Sequence, residues 1–272
     1  MAALTVCPFL IQVREALAGG NSLYTLDVEK LHALKPDVIL TQSLCNVCSV
    51  DLRYVSHVVQ NMPAPRPKVV DLNPRTLSDV LQDLMMVGRA TGCEDLAKED
   101  LAELQLRIEL AKAEGAKRQR VVSVCQLEWT EPLFIGGHWT PEIIELAGGR
   151  QGLNPKIGVN SLVVTPEQLV DDDPDMIIVC PCGLDLKTTR EQVEALEKSE
   201  WWPKLQAPKT DNGVILVDGN QFFNRPGPRL VDCLEWMVWL FAQLESGGAG
   251  EKLSAGDYSA DFSWDVHQKP RI

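Results

Sequence analysis

The residues best suited to chemistry stand in a few short stretches. Gln42-Ser43-Leu44-Cys45-Asn46-Val47-Cys48 carries a C-x-x-C pair, Cys45 and Cys48. That spacing can close a redox disulfide or offer two thiolates to a soft metal. Zinc needs further ligands, and a thioredoxin-like unit needs the pair to open a helix directly after a strand. Two half-buried cysteines in a turn is the competing reading. Glu128-Trp129 and Gly136-Gly137-His138-Trp139 follow later. Two tryptophans beside paired glycines suit a flat apolar ligand, because glycine lets it approach the backbone. His138 can ligate a metal or hydrogen-bond a ligand. The alternative makes Trp129 and Trp139 core aromatics and His138 a satisfied turn residue. Cys180-Pro181-Cys182-Gly183 adds a thiol at Cys182, so Cys45, Cys48, Cys182 and His138 form a candidate metal set if the fold brings them together. Asp218-Gly219-Asn220-Gln221-Phe222-Phe223 offers amides and aromatics. The acidic run at 171–175 lacks EF-hand spacing and reads as a solvated helix end.

These stretches must be held by elements, and the chain alternates short β-rich runs with amphipathic helices. Asp27 caps a helix to Leu34, which Lys35-Pro36-Asp37 stops. Val38-Ile39-Leu40 reads as a buried strand. A helix over 51–60, a strand at Val69-Val70, and a helix from a Thr76 cap to Thr91 with Gly92 as its stop come next. The longest helix spans 95–115, with Ala97, Leu101, Leu104, Ile108 and Ala111 on one stripe. Glu94/Lys98 and Glu103/Arg107 are expected as surface pairs on it. The alternation then restarts. Strands fall at 121–125, 133–135, 176–179 and 214–217. Helices open at Thr140-Pro141, at the Thr165-Pro166-Glu167-Gln168 capping box, at Lys187 and at Pro228. Glu128, Trp129, Cys182 and Phe223 are therefore expected in loops after strands, where ligands meet sheets of this kind. His32, His57 and His267 read as structural or surface residues.

The chain has 272 residues and a formal charge of −12, with 45% hydrophobic and 24% charged residues. An acidic chain with no basic stretch excludes a nucleic-acid binder. It also disfavours a strongly anionic ligand. No run reaches the roughly 18 apolar residues of a membrane span. The eight cysteines are too sparse for a disulfide scaffold. Ala16-Leu17-Ala18 resembles a cleavage site, but no basic region precedes it and Pro8 interrupts the apolar run, so a cytoplasmic location is expected. No G-x-S-x-G, P-loop, H-E-x-x-H or G-x-G-x-x-G motif is present, which favours a binder over an enzyme.

Leu34-Lys35-Pro36-Asp37-Val38-Ile39-Leu40-Thr41-Gln42 resembles the first lobe of class III, helical-backbone periplasmic substrate-binding proteins, which serve ABC importers of cobalamin and iron-siderophores. Leu44 to Cys48, Leu127-Glu128-Trp129, Gly137-His138-Trp139-Thr140-Pro141-Glu142, Glu145-Leu146-Ala147-Gly148-Gly149, Asp173-Pro174-Asp175 and Pro181-Cys182-Gly183 are similar to a cobalamin-binding-protein-like subgroup. The likeness runs over about 13–244. It implies two doubly wound α/β lobes joined by one long helix: a lobe at 1–93, a connecting helix at 94–117, a second lobe at 118–245 and a flexible tail at 246–272. It implies that a corrinoid or ferric chelate is held between the lobes without catalysis, near Cys45, Cys48, Glu128, Trp129, His138, Trp139, Cys182 and Phe223. A monomer beside ABC-transporter membrane subunits is the implied assembly. Residues 1–11 stand where the family has a strand-helix-strand unit, so the first lobe is expected to be truncated. The rival reading is a cytosolic metal-handling or thiol-redox protein built on the C-x-x-C loop.

Overall fold

The computed structural model describes residues 25–43, 50, 52–246, 253 and 263–267. The expected truncation of the first lobe and the pair Cys45 and Cys48 lie outside the described residues. The chain divides into two compact units, Met1–Pro74 with Leu81–Leu101, and Arg75–Val80 with Ala102–Ile272.

In the first unit, α1 (Val28–Leu34) starts at Asp27, whose Oδ1 accepts from Lys30 N at 2.9 Å. It ends at Lys35 in the left-handed region, and the following proline disfavours a right-handed helical turn there. Strand β1 (Val38–Gln42) pairs in parallel with β2 (Lys68–Leu72), Val38 opposite Lys68. Helix α2 (Leu52–Gln60) supplies Val55 and Val59, which form a small core with Met62, and Leu31, Ile39 and Val69 pack on it. The expected burial of β1 is not met, since Leu40 is 47% exposed. Its apolar run packs from one side only, through Ile39.

Helix α3 (Leu77–Thr91) begins in the second unit and continues in the first. Thr76 Oγ1 accepts from Asp79 N at 3.1 Å and Asp79 Oδ2 accepts from Thr76 N at 3.0 Å, a reciprocal cap. Gly92 ends the helix at φ +75°. Helix α4 (Glu94–Gly115) passes from the first unit to the second at Leu101/Ala102. Glu94 pairs with Lys98 at 3.7 Å. Arg107 does not take Glu103. Its guanidinium forks onto Asp232 at 2.5 Å and Glu235 at 2.6 and 2.8 Å, because a two-carboxylate partner matches its planar donors better than one flexible neighbour.

The second unit is built on one seven-stranded sheet. Its strands are β3 (Val122–Thr130), β4 (Leu133–Ile135), β5 (Gly149–Gln151), β6 (Leu162–Val164), β7 (Met176–Val179), β8 (Val214–Val217) and β9 (Trp264–Val266). The order is β6-β4-β3-β7-β8-β9, with β5 pairing the start of β3. Strands β5, β3, β7 and β8 are parallel; β4, β6 and β9 run against their neighbours. Between them run α5 (Thr140–Leu146), α6 (Pro166–Asp172), α7 (Leu186–Leu196) and α8 (Arg229–Ser246). One sheet face buries Cys125, Leu127, Ile177, Val179 and Leu216 with Leu169 of α6 and Val193 of α7. The other receives α5 and α8: Gly149 lies so close to Ile144 and Phe241 that a side chain there would collide with both. Helices thus cover both faces, the α/β architecture expected.

Two expectations are corrected. Glu128 and Trp129 lie within β3, not after it, because β3 runs on to Thr130 to pair with β4. The expected flexible tail is strand at 264–266. Trp264 is buried, with its ring 5.7 Å from those of Trp236 and Trp239, and β9 pairs with β8, Ile215 opposite Val266. Arg190 Nη2 reaches Asp265 Oδ2 at 2.5 Å and His267 Nε2 lies 2.9 Å from Glu197. The burial of one large ring is enough to order so short a strand.

Candidate functional site

Strands β7 and β8 end beside Leu127 of β3, and the backbone that follows them is tied to β3 and to itself. Cys180 N donates to Leu127 O at 2.9 Å and Cys182 N to Glu128 O at 3.2 Å. Gly183 N donates to Gly219 O at 3.1 Å, and Gly219 N to Leu184 O at 2.8 Å. Asn224 uses one amide group three ways: Nδ2 lies 2.9 Å from Cys180 O, 3.3 Å from Gly219 O and 3.4 Å from Cys180 Sγ. This fastening sets Cys182 beside Glu128 at the sheet's carboxyl-terminal edge.

Glu128 is half-buried and its Oε2 accepts from Ser161 Oγ. Trp129 is half-buried, its Nε1 bonded to Glu131 O at 3.0 Å. Cys182 is partly exposed, whereas burial pushes the thiols of Cys125, Cys180 and Cys233 up and leaves them inert. Trp139 and Phe223 require correction as stacking residues. Trp139 is buried with Nε1 bonded to Phe223 O at 2.8 Å. Phe223 is buried edge-on against Phe222 and Trp236. Both faces are taken by protein, so these two rings brace the loop from behind.

The paired glycines also have another task. A Cβ at Gly137 would strike Val159 O and the Asn160 carbonyl carbon, each 2.5 Å away, and one at Gly136 would meet Gln126 Oε1. The close approach is by the protein's own 157–161 loop. His138 is part of that clasp, at φ +53°, with its N donating to Val159 O at 2.6 Å and its carbonyl accepting from Gly158 N at 2.9 Å. Burial, and then the Arg75 charge, hold the His138 imidazole below its usual value, while Asn160 opposes this. The fold therefore favours the neutral ring. Above pH 6.5 its contribution to stability is complete. As pH falls below that value the unfolded chain takes up a proton that the folded chain resists, and stability is lost. Glu142, pushed up by burial and by Asp79 and Glu145, acts with the opposite sign in acid. We expect urea midpoints to fall more between pH 7.5 and 5.5 in the wild type than in His138→Gln; equal falls would remove His138 as a cause.

Among the described residues no group of three or more His, Cys, Asp or Glu side chains is arranged to hold a metal. Cys45 and Cys48, on which the metal-handling alternative is built, lie outside the described residues. The residues missed in sequence are Asn224 and Ser161, which touch the site through single polar atoms. Only the turn-forming Gly219-Asn220 pair gave a signal.

A family model described as periplasmic binding protein matches residues 10–218. The chain belongs to the periplasmic binding protein family. Among solved structures, this periplasmic binding protein is similar to an ABC transporter substrate-binding protein from Listeria monocytogenes EGD-e, at 20% identity over 79% of this chain and 80% of that one, with a TM-score of 0.66. A periplasmic heme binding protein from Pseudomonas aeruginosa matches at 18% identity, covering 94% and 88%, with a TM-score of 0.64. The periplasmic vitamin B12 binding protein of Vibrio cholerae matches at 17% identity, covering 82% and 80%, with a TM-score of 0.60. No curated protein matches the sequence. The class III resemblance read from the motifs is thereby supported. Periplasmic binding proteins are non-enzymatic, bind small molecules and work with ABC-transporter subunits. They are normally periplasmic, which runs against the cytoplasmic expectation. No helix among the described residues is long and apolar enough to cross a membrane.

Proposed function

We propose that this chain captures a flat metal chelate of the corrinoid, heme or ferric-chelate class and passes it unchanged to an ABC importer, acting as a monomer. The observation that carries this is the joining of Glu128, Trp129 and Cys182 at the carboxyl-terminal edge of one parallel sheet, through the Cys182 N to Glu128 O bond. Solved neighbours that bind vitamin B12 and heme support the ligand class. Trp129 offers a ring for stacking, Glu128 a carboxylate for a donor on the ligand rim, and Cys182 a soft contact. Burial pushes the neighbouring Cys180 thiol up and keeps it from acting as a nucleophile toward the ligand.

The test is a titration with cyanocobalamin, hemin and a ferric catecholate, followed by tryptophan fluorescence. Saturable quenching by at least one is expected. Trp129→Ala should weaken that ligand by about tenfold, the value of one aromatic stacking contact. Absence of quenching by all three overturns the reading.

A further inference from the structure

In a chain of charge −12, one cation of the second unit is held out rigidly at the site loops without a carboxylate. Arg107, Arg118, Arg120 and Arg190 each pair with an acidic side chain, and Arg75 and Arg229 give terminal nitrogens to the amide oxygens of Asn160 and Gln221. Arg225 does not pair with an acidic side chain among the described residues. It is exposed, and it follows Asn224, the residue that ties the β7 and β8 loops together. Its backbone N donates to Phe222 O at 3.3 Å and its Nε to Asn220 O at 2.9 Å. The second bond orients the guanidinium, and among the described residues its two terminal nitrogens, Nη1 and Nη2, have no acceptor. The residues on either side are anchored too: Phe223 O accepts from Trp139 Nε1, and Pro226 stiffens the turn.

Exposed arginines usually either sweep freely or fold onto a neighbouring carboxylate. Arg225 does neither. A planar, oriented fork of N–H donors matches an oxyanion with two acceptor oxygens. We propose that Arg225 is the specificity residue of the chelate site and reads a carboxylate or phosphate on the rim of the ligand. This rests on the chelate-binding reading above and narrows it. It also revises the expectation from net charge, since one oriented cation outweighs distant surface carboxylates screened over about 8–10 Å.

The experiment compares ligands with and without the anion. Hemin carries two carboxylates and hemin dimethyl ester none. Cyanocobalamin carries a phosphodiester that dicyanocobinamide lacks. Wild-type protein should bind the anion-bearing member of one pair about ten- to a hundredfold more tightly, and the pair that shows the preference identifies the source of the anion. Arg225→Gln should remove the preference, mainly through the anion-bearing ligand, while melting at the wild-type temperature. Arg225→Lys should recover only part of it, because a point charge lacks the fork. Equal binding within both pairs by the wild type overturns the role of Arg225 and leaves the chelate reading standing. Binding of none of the four overturns the reading beneath it, and the assignment with it. A preference that survives in Arg225→Gln overturns the assignment to Arg225, and Arg225→Lys serves as the second variant if Arg225→Gln fails to fold.

Discussion

Trp264→Ala is expected to destabilise the protein by about 3–5 kcal/mol, the usual range for removing a buried large aromatic. The ring is 2% exposed and sits edge-on to both Trp236 and Trp239. Strand β9 has three residues and gains no stability of its own at that length. Without the ring, the partly exposed Asp265–Arg190 ion pair, which contributes little, and the His267–Glu197 contact must order the segment alone. The exposed edge would then be β8, whose residues are buried in the intact protein. Urea unfolding gives the energy, and hydrogen exchange at Leu216 and Asp218, whose amides face β9, reports the edge. A change below about 0.5 kcal/mol, the range of ordinary surface substitutions, would show that the strand is not anchored by Trp264.

Gly219→Ala should have its larger effect on ligand capture. A Cβ there would overlap Pro181 O, a backbone atom with nowhere to rotate. The β7 and β8 loops must separate, which breaks the paired bonds Gly183 N to Gly219 O and Gly219 N to Leu184 O and pulls at Asn224. Overpacking of this kind costs about 1–3 kcal/mol. The sheet beneath, with Val179 and Leu216 fully buried, survives that loss. Cys182 and Arg225 would nevertheless move relative to Glu128. We expect affinity to fall by about a hundredfold, since ångström-scale misplacement of binding groups is that costly, with the near-ultraviolet spectrum of the tryptophan cluster retained. Unchanged affinity would show that the loop pairing does not shape the site.

Much of the fold was legible because its signals are local. Asp27, Thr76 and Thr165 cap as their side-chain chemistry dictates, and Gly92 and Gly148 end helices in the left-handed region. The apolar strands 176–179 and 214–217 are buried throughout. What failed depends on distant partners. Glu103 is a good neighbour for Arg107 on an isolated helix, but α8 brings two carboxylates from far along the chain. Trp264-Asp265-Val266 has the period of a strand, yet three residues among glycines and serines carry no weight until the indole finds its cluster. At the site, the sheet brings several of the singled-out segments to one edge, but some of their faces are used by the protein itself. Gly137 and Trp139 have the look of a ligand wall, but their free space and donor are used by Val159, Asn160 and Phe223.

The passage of the chain between its two units has a consequence for inheritance. The second unit takes its first turn of α3, Arg75–Val80, from sequence that lies before the 81–101 stretch of the first. Leu77 and Val80 are buried there, and Leu77 N donates to Glu142 Oε2 at 2.8 Å. A gene fragment starting at codon 102 would encode the whole seven-stranded sheet and still leave Glu142 without its donor and the two apolar sites empty. The second unit cannot be copied, swapped or duplicated as a contiguous block without carrying along the helical hairpin of α3 and α4. A breakpoint before residue 75 would keep the second unit whole, but it would carry the 81–101 stretch of the first unit with it.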